Sequence, residues 1–174
     1  MQLIFQFWQP FFYQFTEVNA SKHNLGYIFS AMIFAQYSTS FIVRKYIFLK
    51  NNRIFSLIAF GWLSSCLLLL IASSSNNFFL VLASFCLFLG IITATGNMLT
   101  AYLSKNIDDN LQSTTISILD LSGRFFGGCF LFFGKDLLSL SKISFGWPIL
   151  AVIFFILSLW AFIQRKIACS IETV

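Results

Sequence analysis

IFSLIAFGWLSSCLLLLIASSSNNFFLVLASFCLFLGIITATGNMLTAYLS, Ile54 to Ser104, runs fifty-one residues without one Asp, Glu, Lys or Arg. A charge-free run of that length, rich in Leu, Ile and Phe, is not the surface of a domain that water dissolves. Drawn out as one helix it would reach about 76 Å, against a bilayer hydrocarbon core of about 30 Å. It must therefore fold back on itself, and its one polar cluster, Ser73-Ser74-Ser75-Asn76-Asn77, supplies the turn. The stretch reads as a hairpin of two membrane-spanning helices.

The rest of the chain has the same character. Charged residues make up only 10 % of it, against the roughly 25 % of a soluble domain. Six apolar segments can be marked, at residues 2–16, 25–43, 54–72, 78–103, 113–134 and 146–163. Their length without period-2 alternation favours helices over a β-barrel. The expected fold is an all-α membrane protein, a single transmembrane helical domain over residues 1–174. The first segment is short: its apolar part, Gln2 to Phe15, covers about 21 Å where a span needs about 20 residues. It reads as the second half of a longer, truncated helix.

Loop charges set an orientation. With both ends in the cytoplasm, the inner loops carry Arg44, Lys45, Lys50, Arg53, Lys105, Arg165 and Lys166, and the outer ones only Lys22, Lys135 and Lys142. The expected location is the plasma (inner) membrane with cytoplasmic termini. The basic residues lie in short loops rather than along one face, so the net charge of +5 gives no nucleic-acid surface. Three of the four cysteines fall inside apolar runs, where a thiol acts as a small hydrophobe. No disulfide framework or metal site is read from them.

Chemistry has few places to sit. Asp120 and Arg124 are ionisable residues inside a span, a functional hypothesis by default. At i, i+4 they share a face, so they either line a substrate or proton path or pair structurally. Gly123 and Gly127, continued by Gly134, make a small-residue stripe that admits a close helix neighbour. Gly90, Thr93, Thr95, Gly96 and Asn97 form a weakly polar stretch of the fourth span, either a cavity lining, a flexible point or packing. Gln2, Gln6 and Gln9 recur on one helix face beside Trp8 and Pro10. Amides facing lipid are costly, so this face is expected to turn inward, as a cavity wall or as helix-to-helix hydrogen bonding.

Enzyme readings lack parts. The one histidine, His23, lies in a loop, so neither haem ligation nor an intramembrane serine protease built on Ser122-Gly123 is supported. There is no phosphate-cradling Gly-rich loop, and Asp108-Asp109 stands alone in a polar loop. No cofactor is implied.

The order of these features resembles the C-terminal half of a major facilitator superfamily transporter, helices seven to twelve. Phe7-Trp8-Gln9-Pro10 is similar to the outer half of helix seven in some bacterial members, and Leu25-Gly26-Tyr27-Ile28-Phe29-Ser30 to the start of helix eight. The basic loop from Arg44 to Arg53 stands where that family has D-R-x-G-R-[RK], keeping charge but lacking the glycine and the acid. Gln112-Ser113-Thr114-Thr115-Ile116-Ser117 and Gly123-Arg124 look like the helix-eleven pattern R-A-T-x-x-S followed by L-x-G-R. Gln112 or Ser113 replaces the leading arginine, and Asp120 is unusual there.

The resemblance implies half of an alternating-access carrier with its substrate near the midplane. The expected activity is translocation of a small-molecule solute coupled to an ion gradient. Gln6, Gln9, Asn97, Asp120 and Arg124 are the substrate-path candidates, Asp120 for a proton or cation and Arg124 as its partner or an anion contact. The expected partners are the lipid bilayer and either a second six-helix half or a homo-oligomer. Two rivals stay open: a six-helix substrate-binding subunit of a multi-component importer, and a non-transporting membrane assembly protein.

Overall fold

The computed structural model describes residues 8–13, 15, 23–47, 54–107, 109–134 and 143–171. All regular structure among them is helical. After a short helical piece at residues 8–12, labelled α1, come α2 (His23–Ile47), α3 (Ile54–Ser74), α4 (Phe78–Asn106), α5 (Asp109–Gly134) and α6 (Ile143–Ile171). Four segments are long and apolar enough to cross a membrane: Asn24–Arg44, Ile54–Ser74, Phe78–Lys105 and Gly146–Ile163. The polar stretch expected as a loop at 104–110 is mostly helical, since α4 runs to Asn106 and α5 starts at Asp109.

The α3–α4 turn follows from its side chains. The Ser73 and Ser74 hydroxyls donate back to the Leu70 carbonyl at 2.9 and 2.7 Å, occupying an acceptor at the end of α3. Asn77, in an extended conformation, then caps α4: its Oδ1 accepts from the Phe79 and Leu80 amides at 3.0 and 3.4 Å. Those are two of the orphan donors every helix start leaves open, and an Asn cap is worth about 1 kcal/mol. Its own amide donates to Ser75 Oγ at 3.2 Å.

Helix α4 is the centre of the packing. Both α2 and α3 lie against it, α6 packs on α3 and reaches α4 through Trp147 and Phe154, and among the described residues α5 touches α4 only lightly. Near the Ser75–Asn77 turn an aromatic cluster ties α1 to α4 and α6: Phe11, Phe12, Phe85 and Trp147 are at most 4 % exposed. Phe12 meets Phe85 edge to face at 5.6 Å, and Trp147 meets Phe11 and Phe85 at 5.2 Å each. Such pairs contribute about 0.5–1.5 kcal/mol beyond the area they bury. At the opposite end of α4, Ile54, Ile58 and Met98 form a smaller cluster with Val43 and Tyr102 against it.

Between these clusters the helices approach through small residues. A Cβ on Gly90 would lie 2.7 Å from Thr39 Cγ2 and 3.3 Å from the Ala35 carbonyl oxygen of α2. A Cβ on Gly61 of α3 would collide with Thr95 Cγ2 of α4. The buried Ser158 of α6 donates to the Ala59 carbonyl of α3 at 3.0 Å. Small residues with hydroxyl crossings are what apolar helices use to associate where lipid competes for every hydrophobic contact. Cys66 is buried and Cys86 half-buried, both free thiols; the side chains of Cys129 and Cys169 lie outside the described set.

Candidate functional site

Polar groups of two described helices meet along one seam, between α2 and α4. Gln36, Thr39 and Ser40 fall at i, i+3, i+4 on one side of α2, and Gly90, Thr93 and Asn97 at i, i+3, i+7 on α4. Both spacings keep the groups on one helix face. Asn97 Nδ2 donates to Ser40 Oγ at 3.1 Å. The Thr39 hydroxyl lies 2.8 Å from the Ala35 carbonyl oxygen of its own helix and 3.0 Å from that of Gly90 across the seam, and shares its proton between them. Thr93 Oγ1 lies 2.9 Å from the Leu89 carbonyl and 3.4 Å from Gln36 Oε1.

That last contact has a direction that can be worked out. A threonine hydroxyl has one proton, and the shorter bond to Leu89 takes it. Gln36 Oε1 would then face another oxygen while Gln36 Nε2 stays buried with no partner. Turning the amide by 180° puts an N–H opposite Thr93 Oγ1, whose lone pairs are free to accept. The donor is then satisfied and only a carbonyl oxygen is left under-used, the cheaper of the two vacancies. Gln36 therefore donates to Thr93.

Alongside the seam, α2 and α3 leave a furrow over α4 with a volume of about 210 Å³. Its walls are Ile42 and Val43 of α2 and Leu57 of α3, and its floor is Ile91, Ala94 and Met98 of α4. Thr39 and Thr95 are its only hydroxyl-bearing lining residues, and the Thr95 hydroxyl is turned back to the Ile92 carbonyl at 3.1 Å.

The residues singled out from sequence are placed as follows. Gln6 lies outside the described residues. Gln9 is exposed, and its neighbours Trp8, Phe11 and Phe12 are the buried face of α1. Asn97 is exposed at the open edge of the seam. Asp120 and Arg124 are joined at 2.8 Å with side chains 62 % and 65 % exposed. Gly123, Gly127 and Gly134 lie within α5. Ser113, Ser117, Asp120 and Arg124 follow one another at steps of four, three and four, a polar stripe down an exposed face of α5.

Gln36, Thr39 and Ser40 were not among the sequence candidates. The signal was present: polar residues at i, i+3, i+4 inside an apolar segment, the same pattern that drew attention to Gly90, Thr93 and Asn97. Among the described residues no group of three or more His, Cys, Asp or Glu could hold a metal ion. Compared with protein families, curated proteins and solved structures, the chain matches none of them.

Proposed function

We propose that the chain is an integral membrane protein and forms one half of an alternating-access carrier for a small solute, driven by an ion gradient. The observation that carries this reading is the exposure of its polar side chains. Gln9 is exposed on α1; Asn97 stands open on α4 beside the exposed Leu80 and Leu87, and Asp120 and Arg124 on α5 beside the exposed Leu121 and Phe125. Lipid would not tolerate an ion pair and two amides on that surface, since ionisable groups within a bilayer face a bundle interior or a water-filled cavity. A face of this kind is completed by a second body, with a polar path between the two. No catalytic role falls to any residue in this reading, and the cytoplasmic side is the one bearing Arg44 and Lys105.

Its test is the reactivity of single cysteines toward a membrane-impermeant thiol reagent, in a chain with its four native cysteines replaced by alanine. The measurement is made in membranes of cells that produce the protein naturally. Asn97→Cys and Asp120→Cys are expected to react, and Leu121→Cys to stay unlabelled. Silence at both 97 and 120 would sink the carrier reading. A cross-link at 120 to a neighbouring protein, with no labelling, would favour the assembly-protein reading, which the lightly held α5 also supports.

A further inference from the structure

The furrow between α2 and α3 is open along its length: Ile42 and Leu57 on its rims are 53 % and 49 % exposed. Its floor from Ile91 to Met98 covers two helical turns, about 10 Å, so it runs deep into one leaflet of a hydrocarbon core about 15 Å to the midplane. Nothing in its lining is charged.

One end of it differs. Gln36 meeting Thr93 and Ser40 meeting Asn97 make α2 and α4 parallel, while the three-residue turn at 75–77 makes α3 antiparallel to both. The end of α2, the start of α3 and the end of α4 therefore meet at one level. Arg44 follows the furrow wall directly and is exposed, and Lys105, two turns beyond Met98, is exposed as well. In sequence Lys45, Lys50 and Arg53 fall in the same connection. The connection after α4 adds Asp108 and Asp109, so in sequence these two connections with Arg44 and Lys105 carry a positive balance. By the charge bias of the loops this is the cytoplasmic end, where the bilayer surface is rich in anionic lipid.

We propose that this furrow seats one acyl chain of an anionic phospholipid of the cytoplasmic leaflet, its phosphate held by Arg44 and Lys105. The inference rests on the reading that these helices span a membrane. Long cationic side chains at helix ends reach toward the headgroup level while their stems stay in apolar surroundings. An apolar slot explains the chain, and the cationic end selects the headgroup. A neutral lipid would gain only the first of these.

The test is native mass spectrometry of the full chain released from nanodiscs of phosphatidylglycerol and phosphatidylcholine, equal in amount and acyl chains. Phosphatidylglycerol is expected to remain bound and phosphatidylcholine to be lost. In Arg44→Gln/Lys105→Gln the preference should fall about thirty-fold, two surface charges' worth of headgroup attraction. Ala94→Phe fills the furrow floor and should remove the retained lipid; should that variant misfold, the Arg44→Gln/Lys105→Gln pair, on exposed side chains, carries the test alone. Equal retention of both lipids, or an unchanged preference in the double variant, would overturn the proposal. So would lipid retention in a folded Ala94→Phe chain, or a dimer mass with no lipid. Alkaline carbonate separates the two readings: a chain washed off vesicles is no membrane protein, whereas one that resists but ignores headgroup charge fails only the lipid inference.

Discussion

At Gly90 the backbone of α4 comes within van der Waals reach of α2, and the position has no room for a methyl group. The obstruction includes the Ala35 carbonyl, which cannot rotate aside as a side chain can. Gly90→Ala is expected to lower stability by about 1–3 kcal/mol, the usual cost of overpacking. Gly96, six residues along the same helix, has nothing within 4 Å of a built Cβ. There alanine should be neutral or stabilising by up to about 1 kcal/mol, through helix propensity alone. Thermal melting of the two variants in one detergent distinguishes these outcomes, and a Gly90→Ala chain that melts like the parent would refute the close approach. Sequence marked both glycines as members of one polar stretch and gave no reason to rank them. What separates them is a neighbour fifty-one positions away, Thr39, and no local pattern encodes that.

At the level of the helices, the hairpin was legible because its two signals are local. Absence of charge fixed the helices, and serines and asparagines at 73–77 fixed the turn. Asn77→Ala removes both capping contacts of α4 and should cost about 1 kcal/mol, seen as a lower midpoint in a denaturant titration in mixed micelles. Asn77→Asp, which keeps the acceptor, should restore it. The α2–α4 pairing was not legible. Gln36–Thr93 and Ser40–Asn97 are both separated by 57 residues, a constant offset that defines a parallel register but leaves no trace in either segment alone. Helix α5 is the reverse case: its existence was plain from sequence, and its place was not. With so little packed against it among the described residues, its amides are expected to exchange hydrogen sooner than those of α4 in the purified chain. Equal protection of both would show that α5 is held by contacts beyond those to α4.

For the whole molecule, sequence left Asp120 and Arg124 either lining a path or pairing structurally, and in the chain they are paired with both side chains exposed. Sequence placed the two residues inside a span, but a place along a helix is not an environment, and only packing decides which face is covered. The consequence is measurable: replacing both, as Asp120→Leu/Arg124→Leu, should shift the stability of the purified chain by no more than about 0.5 kcal/mol. An exposed pair contributes less than about 1 kcal/mol to begin with. A loss of several kcal/mol would mean the pair is already enclosed in the isolated chain.

The order in space, α2 beside α4 rather than beside α3, also sets a schedule. A ribosome makes α2 first, and the surface that receives Gln36, Thr39 and Ser40 exists only after 57 further residues are polymerised. At about 5–20 residues per second that is an interval of roughly 3–11 s. During it α2 stands with its polar groups unmatched, while the α3–α4 hairpin that will receive it is still emerging. The birth order of the helices and their assembly order differ, so a newly made α2 needs a waiting place, whether in the insertion machinery or against a passing neighbour.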